Sequence, residues 1–101
     1  MKNIPANGVH DVHRVLIEAE IDLHAFAPGD IPSLVDEYVE QAADAGFREV
    51  RLVHGRGRGV QRGIVQAALE RHPRVAEFWD DPASHLGATI ATLSRGPTPA
   101  R

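Results

Sequence analysis

A chain of 101 residues, 43% hydrophobic and 25% charged, is expected to form one soluble domain around a single modest core. The absence of cysteine excludes disulfides and thiolate metal sites and suits a reducing compartment. A net charge of −3 argues against bulk polyanion binding; no stretch approaches the ~20 apolar residues of a membrane span and no signal sequence follows Met1-Lys2, so no membrane association and a cytoplasmic location are expected.

Taken in order, residues 1–13 show no sustained period, contain Pro5 and Gly8, and read as a flexible arm. His10 and His13 have a metal-compatible spacing there, but two ligands on a loose arm make a poor site. The domain proper is expected over residues 14–93. Alternation then begins: Val15, Ile17, Ala19, Ile21 and Leu23 share one side, and Glu18, Glu20 and Asp22 the other. Because side chains alternate across a strand, Asp22 and His24 are predicted on the same, outward face.

Ala27-Pro28-Gly29-Asp30 is turn chemistry, with Asp30 or Ser33 as the expected helix cap. Ile31, Leu34, Val35, Tyr38, Val39, Ala42 and Ala43 follow helical spacing, and Gly46 suits the position after the helix end. A short strand is predicted over Arg48–Val53, delivering His54 to its carboxyl end, and a second helix over Val60–Arg71. Proline disfavours helical conformation in the residue before it, so His72-Pro73 ends that helix. Val75–Trp79 and Gly87–Leu93 are the remaining strands, with Asp80–His85 as loop and residues 94–101 as a disordered tail.

The order β-α-β-α-β-β predicts an α/β two-layer sandwich: a four-stranded mixed sheet with two helices on one face. Parallel pairing of the first two strands would bring His24 and His54 together, where ligands gather in such sheets. Charge is segregated along the chain. From Asp11 to Asp44 there are nine acidic residues against Arg14, whereas Arg48–Arg74 holds seven arginines against Glu49 and Glu70.

Between the second strand and the second helix lies His54-Gly55-Arg56-Gly57-Arg58-Gly59. Such a backbone bends tightly and can aim N–H groups at one anion, and two guanidiniums beside them suggest phosphate. Arg62, on the first turn of the helix, adds a third cation. The spacing fits neither a P-loop nor a dinucleotide fingerprint, since it lacks Gly-Lys-Ser/Thr and G-x-G-x-x-G.

Ile21-Asp22-Leu23-His24 and His54-Gly55-Arg56-Gly57 resemble the paired L-D-x-H and H-G-x-G motifs of the small MutS-related (Smr) domain. The resemblance runs from about Ile21 to Leu93 and includes His72-Pro73-Arg74-Val75 and Gly87-Ala88-Thr89-Ile90; Ala25 stands where the family commonly has glycine. It implies a compact α/β domain similar in fold to the C-terminal domain of a bacterial translation initiation factor. For many members it also implies endonuclease activity on DNA or RNA, including nicking, with binding alone in others.

The residue types suit phosphodiester cleavage. His24, oriented by Asp22 or by backbone, would activate water or a ribose 2′-hydroxyl, and His54 would protonate the leaving oxygen or hold the phosphate. Arg56, Arg58 and the amides around Gly55, Gly57 and Gly59 would stabilise developing charge. A rival scheme places a divalent metal, Mg²⁺ or Mn²⁺, on Asp22. Glu18 and Glu20 read as a solvated acidic face, and His72 and His85 as structural. Of Phe78 and Trp79, whichever ring is exposed is a candidate for stacking on a base. The alternatives to cleavage are a non-catalytic module for nucleic acid or a ribonucleoprotein such as the ribosome, and a protein-interaction domain. Oligomeric state is not legible.

Overall fold

The computed structural model describes residues 17–94, so the expected arm at 1–13, His10, His13, Val15, and all of the expected tail except Ser94 lie outside the described residues. The elements are β1 (Glu20–Asp22), α1 (Ile31–Asp44), β2 (Glu49–Val53), α2 (Val60–Arg71), β3 (Val75–Asp80) and β4 (Ala88–Leu93), with 3₁₀ turns at Pro28–Asp30 and Pro82–Ser84. The sheet order is β1-β2-β4-β3. β1 and β2 are parallel, and β4 runs antiparallel to both β2 and β3. This is the expected mixed α/β fold, with β4 inserted between the two strands that α2 connects.

Alternation fixes the two faces of the sheet. Along β2, Val50 and Leu52 are buried and Glu49 is exposed. The inward residues meet Ile31, Val35, Val39 and Ala42 of α1 and Val65, Ala68 and Leu69 of α2. β1 is shorter than its alternation suggests. The chain bends at Ala19, which is exposed rather than inward, and the ladder begins at Glu20.

Helix ends follow local chemistry with one exception. At the end of α1 the Gly46 amide bonds the Ala43 carbonyl and the Phe47 amide bonds that of Ala42, a Schellman closure. At its start Asp30 makes no side-chain capping bond, because the Pro28–Asp30 turn runs straight into the helix and Asp30 itself has helical dihedrals (φ −90°, ψ −14°). His72, before Pro73, is extended and stops α2 as expected. Arg74 then bonds Glu40 at 2.8 Å and Asp44 at 2.9 Å, tying the segment after α2 to α1.

Candidate functional site

The site begins where the two parallel strands end. Asp22 is in register with Val53, and the Leu23 amide donates to the Val53 carbonyl at 2.7 Å. Leu23 is fully buried, and alternation therefore turns Asp22 and His24 outward. Their side chains meet, His24 Nδ1 lying 2.6 Å from Asp22 Oδ1, and the same oxygen accepts the His24 amide at 3.0 Å. A carboxylate only accepts, so Nδ1 carries the proton and Nε2 is left as the lone pair of the neutral ring. These two bonds, the ring's first, hold the Asp22 carboxyl below its ordinary pKa. Both side chains remain more than half exposed.

His54 is the opposite case. It continues the inward row of Val50 and Leu52 and is 2% exposed. Its Nδ1 is 3.2 Å from the Gly55 carbonyl, so that nitrogen donates, and Nε2 accepts from the Thr89 hydroxyl at 2.9 Å. Thr89 Oγ1 in turn accepts Gln66 Nε2 at 2.9 Å, and Gln66 also donates to Asp80 at 3.0 Å. Asp80 is gripped by Arg62 through bonds of 2.7 and 2.8 Å. The chain His54–Thr89–Gln66–Asp80–Arg62 thus links β2, β4, α2 and β3 beneath the loop. Burial is the main reason that the His54 pKa is lowered, which favours the neutral ring this network requires.

Above the network the loop is pinned. The carbonyl of Gly87 accepts both the His54 amide at 3.0 Å and the Gly55 amide at 2.9 Å, so these two N–H groups are spoken for. The amides of Arg56 to Gly59 have no backbone acceptor among the described residues and are the ones a phosphate could engage. Gly55 has φ +87°, and a methyl group there would lie 3.3 Å from His24 Cβ, so glycine lets the loop touch the first strand's end. A methyl group on Gly87 would meet Arg56 Cγ at 3.2 Å, so the Arg56 stem lies across the β3–β4 turn. The loop and the start of α2 enclose an open cavity of about 290 Å³ whose lining includes Pro28, His54, Arg56, Arg58, Val60 and Gln61.

The arginines divide into two sets. Arg51 pairs with Glu20 and Asp81, Arg62 with Asp80 and Arg74 with Glu40 and Asp44. Arg48, Arg56, Arg58 and Arg71 are exposed and have no ion pair among the described residues, and of these Arg56 and Arg58 lie on the loop. The structure therefore joins Asp22 and His24 to Gly55, the residue that opens the loop carrying Arg56, Gly57, Arg58 and Gly59. It buries His54 at the edge of the loop cavity and pairs Arg62 with Asp80.

Sequence reasoning misses Thr89, Gln66 and Asp80, whose roles depend on three-dimensional pairing, and Gly87, which its local sequence marks only as the start of a strand. Among the described residues no three His, Cys, Asp or Glu side chains cluster as a metal cage. Among the described residues Asp22 is the acidic side chain bonded to His24, so an ion bound there would draw its remaining shell from water and substrate oxygens, as Mg²⁺ commonly does.

Comparison with known proteins bears on this geometry. The family model described as Smr domain matches residues 21–94. Endonuclease MutS2 of Staphylococcus carnosus is 31% identical over 91 residues, covering 88% of this chain but 12% of that protein. MutS2 of Staphylococcus aureus is 32% identical over 91 residues, covering 88% of this chain and 13% of that protein. The chain therefore spans about an eighth of the length of these relatives. Among solved structures, the Smr domain of Thermus thermophilus MutS2 is similar with a TM-score of 0.70 and 34% identity, covering 73% of this chain and 95% of that one. YdaL, a stand-alone small MutS-related protein from Escherichia coli, shares the fold with a TM-score of 0.70 at 23% identity, over 92% of this chain and 79% of that one.

Proposed function

Because the chain belongs to the Smr domain family, we propose that it is a nucleic-acid endonuclease that cuts or nicks phosphodiester bonds of DNA or RNA. The observation that carries the proposal is the 2.6 Å Asp22–His24 bond beside a loop bearing two exposed arginines. With Nδ1–H held by Asp22, Nε2 of neutral His24 takes the proton from water or a ribose 2′-hydroxyl. The oxygen so activated attacks phosphorus, the P–O bond to the leaving oxygen breaks, and that oxygen is protonated by solvent or by the imidazolium formed. Arg56, Arg58 and the amides from Arg56 to Gly59 offset the charge that grows on the phosphoryl oxygens. His54 acts in this scheme as a positioning residue, since its ring nitrogens are both occupied within the fold. Should a Mg²⁺ or Mn²⁺ ion take part, Asp22 is its protein ligand and the ion supplies Lewis-acid polarisation. A cytoplasmic setting belongs to the same proposal.

A second reading is favoured by the burial of His54. With His54 buried and both its ring nitrogens bonded within the fold, the same loop could hold a strand, or the RNA of a ribonucleoprotein, without cutting it. The test incubates the protein with supercoiled plasmid and with structured RNA, with and without EDTA. Cleavage by wild type but not His24→Ala supports the endonuclease. Equal cleavage by both removes His24 from the chemistry, and retained binding without cleavage in wild type supports the module.

A further inference from the structure

Four large apolar side chains are exposed among the described residues: Phe26 (44%), Val60 (58%), Leu86 (51%) and Trp79 (39%). Isolated exposed apolar residues are ordinary, but three of these four belong to segments tied to the glycine-arginine loop or to the helix that follows it. Val60 follows Gly59 and lines the cavity. Leu86 precedes Gly87, whose carbonyl holds the loop. Phe26 lies two residues beyond His24 and two before Pro28, which borders the cavity.

Phe26 is held rather than loosely displayed. Its amide donates to the Leu23 carbonyl at 3.1 Å, and its own carbonyl accepts Gln61 Nε2 at 2.6 Å. Both backbone groups are therefore satisfied, one by the end of β1 and the other by the first turn of α2. An aromatic ring exposed on a pinned backbone loses little further freedom when something stacks on it.

We propose that Phe26, whose carbonyl is held by Gln61 next to Val60, forms a subsite for an unpaired nucleobase whose phosphate rests on Arg56 and Arg58. This rests on the nucleic-acid reading above and narrows it to strands that can offer a splayed base. An apolar lip against exposed cations matches a nucleotide, which joins a π-face to an anion in one unit. A base inside a duplex has both faces covered and cannot use the ring. The neighbouring surface adds a second reason. Strand register puts Glu20, Glu49, Glu77 and Trp79 on the open face of the sheet with Arg51. A stiff duplex extending over that face would set further phosphates against carboxylates, whereas a flexible strand turns away. The same carboxylates make Trp79, the exposed ring of the Phe78–Trp79 pair, the weaker stacking candidate.

Fluorescence anisotropy with single-stranded DNA and RNA oligonucleotides and a duplex of equal length tests the inference, alongside single strands carrying the fluorescent base 2-aminopurine. Wild type should prefer single strands, and 2-aminopurine emission should be quenched on binding. Phe26→Ala should weaken single-strand binding about tenfold, abolish the quenching and leave duplex binding unchanged, while Phe26→Trp restores both signals. Phe26→Ala binding single strands as wild type does, or wild type holding duplex as tightly as single strand, would overturn the subsite while leaving the cationic loop intact. If no oligonucleotide binds wild type in a salt-dependent manner, the nucleic-acid reading itself fails, and that result is distinct from the first.

Discussion

His24 and His54 end neighbouring parallel strands, and their surroundings differ in every other respect. His24 is more than half exposed, bonded through one nitrogen to a carboxylate, and left with a lone pair on the other. His54 is 2% exposed, and both its nitrogens are used by a carbonyl and a hydroxyl of the fold. The difference is one of parity. Leu23 is the inward residue at the end of β1, so its neighbours Asp22 and His24 point out. On β2 the inward row is Val50, Leu52 and then His54. Strand ends bring residues together, but alternation decides which of them can meet a substrate.

The sharpest way to break this comparison is to remove each ring in turn. His24→Ala should lower cleavage by about 10²–10⁴-fold with nucleic-acid affinity retained and stability changed by less than about 0.5 kcal/mol. His54→Ala should destabilise the domain by roughly 2–4 kcal/mol, because it opens a cavity and strands the Thr89 hydroxyl. Urea unfolding and a plasmid-nicking assay on both variants check the pair. A His54→Ala protein of wild-type stability that has lost cleavage would return His54 to the chemistry.

The next effect concerns the support beneath the loop. Thr89→Val keeps the shape and removes the hydroxyl, leaving His54 Nε2 and one Gln66 bond without their partner. A loss of about 1–3 kcal/mol is expected in urea unfolding, with Thr89→Ser close to wild type. An equal loss in both variants would mean that the methyl group rather than the hydroxyl matters.

Much of this arrangement is legible in the sequence, and the gaps have physical causes. Element order follows from hydrophobic period, and Gly46 and His72-Pro73 mark helix ends through local backbone chemistry. The Asp22–His24 contact follows from a spacing of two on a strand. The same rule applied to Val50, Leu52 and His54 turns His54 inward; a chemical role for it is suggested by residue type, and parity weighs against that suggestion. The insertion of β4 between β2 and β3 is not legible, since strand order is set by pairing between distant segments. Nor is the pairing of Arg62 with Asp80, eighteen residues apart, which ties one of three expected cations to a carboxylate of the fold.

That division among the arginines predicts a smaller, more selective effect. Arg56→Ala/Arg58→Ala should weaken binding to single strands and duplexes alike and reduce the salt slope of log K by roughly 0.7–0.9 for each phosphate no longer neutralised. The fold should be undisturbed, because neither side chain has an ion pair among the described residues. Arg62→Ala should behave in reverse, lowering stability through the unpaired Asp80 and changing the salt slope little. A slope that responds to Arg62 but not to Arg56 and Arg58 would relocate the polyanion to the α2 side.

The gentlest probe of the two strand ends is pH. Burial lowers the His54 pKa, so as pH falls the unfolded chain takes up that proton first, near pH 6.5. The unfolded state then binds more protons, and stability must fall with pH. The contribution is whole above about pH 6.5 and is lost as pH drops toward the folded value, at no more than about 1.4 kcal/mol per pH unit. Asp22 works in a separate window. Its carboxyl is lowered by the bonds from His24, so its contribution is present above about pH 4 and is lost as pH falls through its folded value. Carbon-detected NMR titration of the two side chains separates the windows. A His54 ring titrating at or above the ordinary imidazole value would mean that it is reached by solvent and available to a substrate. The contrast with His24 would then rest on partners alone and not on burial.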